Sequence, residues 1–363
     1  MLPKAPSHPK RSGSLDLLRF LAVLIVYFAH YSDTFNTIYQ IVPANLKYVP
    51  VFRYGPAALI IFFMVSGYVV TMTSIKRNIR EFTITRLSRI YPLFWLSCLT
   101  AFIVARIFPT HSYLAITSLK VFLVNLTMVA PFFGAPNLNP VFHTLVMELM
   151  FYLFIGLIIS FKLWNRVLLI LLCLMLFCTY QNIAHGIGLS NIISPFAAGM
   201  LFYFLKSGYG DKWKIFGLLS FSMVLTFMCG QTLAADALSR FHDGYGINLS
   251  IFYVLVLAIY TVFYLIAVGK IDIKGRKAFQ ILGEIAYPFY LFHIYFLAFY
   301  WYFKDKVNAD LLLISIALII ALFSWALNVY VEKPLSNWAV NILSSIKIKK
   351  PIRKTQDHTA PGF

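Results

Sequence analysis

Apolar residues recur in blocks of about twenty, the length that spans a bilayer core as α-helix, along nearly all of the 363-residue chain. The blocks lie near residues 14–35, 55–75, 90–108, 141–161, 167–184, 191–206, 215–235, 250–268, 285–303 and 311–331. Their length and recurrence predict an all-α, polytopic integral membrane protein of about ten transmembrane helices. A further apolar stretch, 114–133, carries Lys120 and Asn125 near its middle and runs into Pro131-Phe-Phe-Gly-Ala-Pro136. Polar groups and prolines at such a depth fit a re-entrant or interfacial segment.

Positive charge sets the expected orientation. Lys76, Arg77, Arg80 and Arg86, the pair Lys162 and Arg166, the stretches Lys206 to Lys214 and Lys270 to Lys277, and the tail from Lys333 all occupy gaps between blocks. The positive-inside rule assigns these gaps to the cytoplasm. Parity then requires ten spans, with 114–133 not crossing and both termini cytoplasmic. The expected organisation is a basic N-terminus (1–13), one membrane domain (14–336) and a basic tail (337–363). No small-residue cleavage site follows the first block, which is therefore expected to be retained.

Composition agrees: 60% of residues are hydrophobic, 12% are charged and the mean hydropathy is +0.77. A net charge of +18 would suggest nucleic acid in a soluble protein; confined to short loops it reads as topology, and no nucleic-acid partner is expected. Cys98, Cys173, Cys178 and Cys229 fall inside apolar blocks and match no zinc spacing, so they read as core residues. The most polar external loop, Thr232 to Ser250, reads as a solvated connector. Of the 35 Phe and 22 Tyr, most are expected at lipid-facing or interfacial positions.

Ionisable residues inside the blocks are costly in lipid and mark candidate chemistry. Arg19 and His30 share the first block. Eleven residues of helix turn about 1100°, within about 20° of three full turns, and rise about 16 Å. Both side chains therefore share one face, with Arg19 near a membrane surface and His30 near the middle of the core. Taken singly, a snorkelling Arg19 and a packing His30 remain open alternatives. Arg86 and Arg89, three apart, present two guanidinium forks suited to a phosphate, whereas Arg77 and Arg80 read as topology. Glu148 lies about 10 Å below the outer end of its block, near the depth of His30. A carboxylate there either orients the imidazole as a general base or is neutralised or paired structurally. His293 reaches a similar depth from the other side and is either part of the same polar centre or a packing residue. His143, His185 and His242 read as surface histidines. No metal is expected, since no H-E-x-x-H-type spacing occurs.

Arg19 with His30, Phe62-Phe-Met-Val-Ser-Gly-Tyr68, Arg86-Leu-Ser-Arg89-Ile-Tyr-Pro92, Leu282-Gly-Glu-Ile-Ala-Tyr-Pro-Phe-Tyr-Leu-Phe-His293 and Val331-Glu-Lys-Pro334 occur in this order. Together, over about residues 14–336, they resemble the membrane acyltransferase-3 family. The resemblance implies an acyltransferase with Arg19 and His30 as its acyl-transfer signature and Arg86 and Arg89 at the donor. Where the family has Trp-Ser-Leu ahead of its acidic residue, this chain has Phe142-His143-Thr144-Leu145 before Glu148, a departure that fits a different acceptor.

The implied donor is acyl-CoA, with a bias to acetyl-CoA, held at the cytoplasmic face by Arg19, Arg86 and Arg89. The implied acceptor is the hydroxyl of an envelope or exported carbohydrate, including lipid-linked forms. The implied location is the bacterial cytoplasmic (inner) membrane, among membrane lipids, with no permanently bound cofactor. No convincing nucleophile motif exists, which favours direct transfer in a ternary complex, with Ser66 as the reserve candidate. The principal rival is a non-catalytic glycan or small-molecule transporter or flippase, which predicts pseudo-repeats with interrupted helices; no internal repeat is visible. A lipid-binding scaffold would explain Lys347 to Lys354 but not the buried polar residues.

Overall fold

In a computed structural model of the protein, the described residues are 11–39, 54–107, 118–185, 190–240, 248–273, 277–303 and 306–345. Helices form at all ten predicted blocks. They are α1 (Gly13–Tyr39), α2 (Gly55–Ser74), α3 (Ile79–Ile107), α5 (Phe142–Ser160), α6 (Val167–His185), α7 (Ser190–Ser207), α8 (Lys212–Arg240), α9 (Leu249–Ala267), α10 (Lys277–Phe292) and α12 (Ala309–Leu327). Between them come α4 (Leu119–Asn125) and α11 (Leu297–Phe303), and α13 (Lys333–Ser345) closes the described chain. No strand occurs among the described residues. Eight of the helical segments are long and apolar enough to cross a membrane; α7 and α10 are not among them. Leu169, Leu176 and Phe177 on α6, Val254 and Leu257 on α9, and Leu318 and Leu322 on α12 point outward. Large apolar side chains turned away from the core on several helices are what a lipid-facing surface requires. The protein is a multi-pass membrane protein.

The ambiguous stretch resolves into a short element. α4 has seven residues, too few to cross, and is followed by a 3-10 turn at Ala130–Phe133 whose Phe132 and Phe133 are exposed. Asn125, read as a polar mark against crossing, is buried: its amide donates to the Val121 and Pro136 carbonyls and its side-chain oxygen accepts from the Leu138 amide. It thereby folds the segment back upon itself.

Three features depart from the expected pattern. The third helix begins at Ile79, well before the apolar block, so Arg80, Arg86 and Arg89 are helical residues; once the helix is nucleated, its arginines carry good intrinsic propensity and extend it. The block 285–303 is broken, with α10 ending at Phe292 and a 3-10 turn at His293–Phe296 preceding α11. Pro288 lies inside α10 and deprives the Glu284 carbonyl of its helical donor. Past α12 comes a π-helical turn, Asn328–Glu332, and then α13 packs against α3 over part of the expected tail. The tail beyond 345, the first ten residues and the stretch 241–247 of the external loop lie outside the described residues.

Many aromatic residues are interior and not lipid-facing, among them Tyr27, Tyr31, Phe94, Phe142, Phe263, Phe289, Phe292 and Tyr300. Tyrosine hydroxyls explain part of this, because in a dry bundle a buried phenol is favoured where a neighbouring helix offers it an acceptor. Tyr27 donates to the Leu313 carbonyl at 2.9 Å and Tyr287 to the Ile90 carbonyl at 2.8 Å. Cys98, Cys178 and Cys229 are buried as expected, whereas Cys173 lies on the exposed side of α6.

The tightest contact is between α2 and α7. A Cβ on Gly67 would run into the Phe196 carbonyl, and one on Gly199 into the Met64 carbonyl and Tyr68 amide. Lipid offers no hydrophobic drive for helices to associate, so close backbone approach through small residues supplies the contact. Gly199→Ala is expected to destabilise the bundle by at least ~1–3 kcal/mol. A thermal melt in detergent checks this, with Gly217→Ala as the control: its Cβ meets nothing within 4 Å, and its melting temperature should hold or rise.

Candidate functional site

The position of α1 is set at its start by an ion cluster. The Arg11 guanidinium donates to Asp16 and to Glu284 of α10, both at 2.6 Å, and Lys333 donates to the other Glu284 oxygen at 2.7 Å. Burial works against the charge on Arg11, but hydrogen bonds and attraction from Asp16 and Glu284 prevail and hold its pKa above the ordinary value. Asp16 is buried against Gly283, where any side chain on α10 would strike it. Arg19, one turn on, lies 3.8 Å from the same Asp16 carboxylate. That i, i+3 spacing was visible in the sequence, yet Asp16 escaped notice because an acid in a first turn also reads as a favourable helix-dipole residue.

Two cavities meet at Arg19. The outer one, about 490 Å³, opens at this ion cluster and is lined by Arg11, Asp16, Arg19, Arg89, Glu332 and Lys333, among others. The inner one, about 90 Å³, is lined by Arg19, Ser66, Arg86, Arg89, Glu148 and Tyr152, with Phe62, Phe63 and Phe196 among its apolar walls. Arg19, Val69 and Arg89 belong to both walls. Five of the seven residues singled out from the sequence therefore line one cavity.

Within it the charged groups have distinct neighbours. Arg86 is buried, donates to the Thr73 hydroxyl and lies 5.6 Å from the centre of the Tyr152 ring, a cation–π distance. Tyr152 in turn donates to Glu148 at 2.5 Å, and Ser66 donates to the same carboxylate oxygen at 3.4 Å. Tyr152 thus joins Arg86 to Glu148. It escaped notice as one more aromatic in an apolar run, although its i+4 spacing from Glu148 was a usable signal. Arg89 makes no hydrogen bond or ion pair to any other described residue, which leaves its donors free at the junction of the two cavities.

His30 and His293 lie together, apart from these walls. Their ring centres are 5.4 Å apart and tilted by 39°. His293 is fully buried, and its Nδ1 sits 2.8 Å from the Tyr290 carbonyl. A carbonyl only accepts, so Nδ1 carries the proton and Nε2 presents a lone pair. Among the described residues Nε2 has no hydrogen-bond partner. Tyr290 connects the two regions: it lines the inner cavity, shares a 2.7 Å hydrogen bond with Thr144, and its ring lies 5.9 Å from that of His293. The expected His30–Glu148 pair is not among the contacts of the described residues, where Glu148 accepts from Tyr152 and Ser66. His143 is exposed, with Nδ1 2.5 Å from the Pro140 carbonyl at the start of α5; the side chains of His185 and His242 lie outside the described residues.

No curated protein and no solved structure matches the chain. A family model described as an acyltransferase domain matches residues 12–342, which take in both cavities, the two histidines and almost the whole helical bundle. The chain belongs to this membrane acyltransferase family, acyltransferase-3.

Proposed function

We propose that the protein transfers an acyl group, most simply acetyl, from cytoplasmic acyl-CoA to a hydroxyl of an envelope or exported carbohydrate, with His30 as general base. The observation that carries the reading is the common wall of the two cavities, to which Arg19 and Arg89 both belong, Arg89 with no hydrogen bond or ion pair among the described residues. A CoA thioester is a polyanion joined by a long neutral arm to a reactive carbonyl. The outer cavity offers Arg19, Arg89 and Lys333 to the phosphates, and the small inner cavity suits a short acyl group better than a long chain. With the Arg-rich end facing the cytoplasm, as the positive-inside rule requires, the donor enters where it is made.

In the proposed reaction the acceptor oxygen attacks the thioester carbonyl as its proton passes to His30. A carbon–oxygen bond forms, the carbon–sulfur bond breaks, and the proton on His30 is returned to the departing thiolate, releasing CoA with a free thiol. Arg19 and Arg86 stand near the inner cavity to offset negative charge on the carbonyl oxygen. Glu148, held by Tyr152 and Ser66, balances the arginines and keeps the cavity from being uniformly cationic. The apolar walls exclude water, which would otherwise hydrolyse the thioester.

The direct test is CoA release from acetyl-CoA by purified protein in lipid nanodiscs, with and without an envelope glycan extract. Acceptor-dependent release is expected, and His30→Ala should abolish it while leaving CoA binding within about twofold, since the imidazole acts in the chemical step. A folded wild-type protein that neither binds nor consumes the thioester would exclude the reading. Arg89→Ala is expected to weaken CoA binding by about 10- to 100-fold, the loss of one or two charge-assisted hydrogen bonds. Calorimetry at two salt concentrations checks this; equal affinities for the variant and the wild type would remove Arg89 from the donor site.

A further inference from the structure

We infer that His293 is the residue that orients His30, acting as a neutral hydrogen-bond acceptor in a His–His pair. The inference rests on the acyl-transfer reading of His30 and assigns the orienting partner that the expected Glu148 contact does not supply. An imidazole that serves as a base needs its other nitrogen held, so that one tautomer and one ring orientation prevail. Glu148 is occupied by Tyr152 and Ser66. Among the described residues His30 makes no hydrogen bond, and the ring packed against it is that of His293.

Three features fit His293 to the task. Its tautomer is fixed, because the 2.8 Å contact with its own helix at Tyr290 commits Nδ1 as the donor. Its Nε2 is buried with no partner among the described residues; an unmet acceptor in a dry interior costs about 1–3 kcal/mol and persists where something else repays it. Its place beside His30 is held by α1 itself, since Tyr31 donates to the His293 carbonyl at 3.1 Å and Tyr27 packs edge-on against the ring at 6.4 Å. Tyr27, one turn before His30, and Tyr31, next to it on α1, therefore hold the partner that His30 meets. The break of α10 into a 3-10 turn begins at His293, which separates its backbone from regular helical register.

A centroid separation of 5.4 Å leaves about 3 Å between two ring nitrogens that point at each other, a normal N–H···N distance. The pairing requires that Nε2 of His293 face His30 and that the His30 ring, which no described hydrogen bond opposes, turn to meet it. One His30 nitrogen then donates to His293 Nε2, and the other holds its lone pair for the acceptor hydroxyl. During transfer the hydroxyl proton moves to that second nitrogen and on to the thiolate, while the proton between the histidines stays on His30. His293 begins and ends neutral, a positioning residue that exchanges no proton.

The test compares His293→Leu and His293→Gln in the CoA-release assay, with thermal melts of each. Glutamine places an acceptor oxygen near the position of Nε2, and leucine fills similar space with none. His293→Leu is expected to lower kcat about 10- to 100-fold with the KM for acetyl-CoA unchanged, the cost of a misoriented catalytic group, while His293→Gln stays within about fivefold of wild type. Wild-type kcat in a folded His293→Leu protein, or equal losses in both variants that track a fall in melting temperature, would overturn the inference. Nitrogen-15 histidine spectra of the unaltered protein give an independent arm: His293 should appear as the neutral Nδ1–H tautomer, and an Nε2–H or doubly protonated ring would overturn the proposal. His30→Ala in the same assay separates the two claims, because retained turnover there strikes at the acyl-transfer reading itself, whereas a dead His30→Ala beside a fully active His293→Leu strikes only at the pairing.

Discussion

The register of α1 is the constraint on which the site depends. One helix carries both Arg19 at the junction of the cavities and His30 beside the buried His293, so neither can be moved without the other. At its start, Asp16 is shared between Arg11 and Arg19, and Glu284 ties Arg11 and Lys333 together across α10. Three turns further, Tyr27 and Tyr31 anchor the same helix to backbone carbonyls of Leu313 and His293. Ions hold α1 where solvent and headgroups can screen the cost, and neutral hydroxyls hold it where lipid cannot.

This division of labour recurs across the bundle. Close backbone contact through Gly67 and Gly199 brings α2 against α7, and α2 supplies Ser66 and Val69 to the inner cavity. α3 contributes Arg86 and Arg89 from turns of helix that begin well before its apolar stretch, so two guanidinium groups project into the interior from a continuous helix. α5 brings Glu148 and Tyr152 on one face. Among the described residues Arg86 is thus met by a hydroxyl and a ring, Glu148 by two hydroxyls and Arg19 by the Asp16 carboxylate, whereas Arg89 makes no hydrogen bond or ion pair.

Much of this was legible in the sequence because membrane insertion makes composition speak plainly. The ten apolar blocks all became helical, and the described part of 114–133 holds only a seven-residue α-helix that Asn125 folds back. Arg19, Arg86, Arg89, Ser66 and Glu148 converge on one cavity; the rarity of ionisable groups in apolar runs marked Arg19 and Glu148, and spacing marked the Arg86–Arg89 pair. What stayed hidden was pairing. Spacing along one helix shows that His30 and Arg19 share a face but says nothing about which helix lies opposite, so Glu148 read as the partner of His30, where the structure packs His293 against it. Tyr152 and Asp16 were missed for a related reason: a tyrosine in an apolar helix and an acid in a first turn each have an ordinary local explanation, and only tertiary packing shows what else they touch. The breaks at His293 and at Asn328–Glu332 interrupt apolar runs that contain no glycine, and Pro288 was the sole local hint of the first.

The most direct test of the central claim is a structure of the protein in nanodiscs with bound CoA. The phosphates should lie in the outer cavity on Arg19 and Arg89, with the pantetheine arm passing Val69 and the sulfur directed toward the inner cavity and the His30–His293 pair. CoA bound elsewhere, for example in the basic groove between α6 and α8 near Arg166 and Lys214, with the inner cavity closed to the thiol, would contradict it.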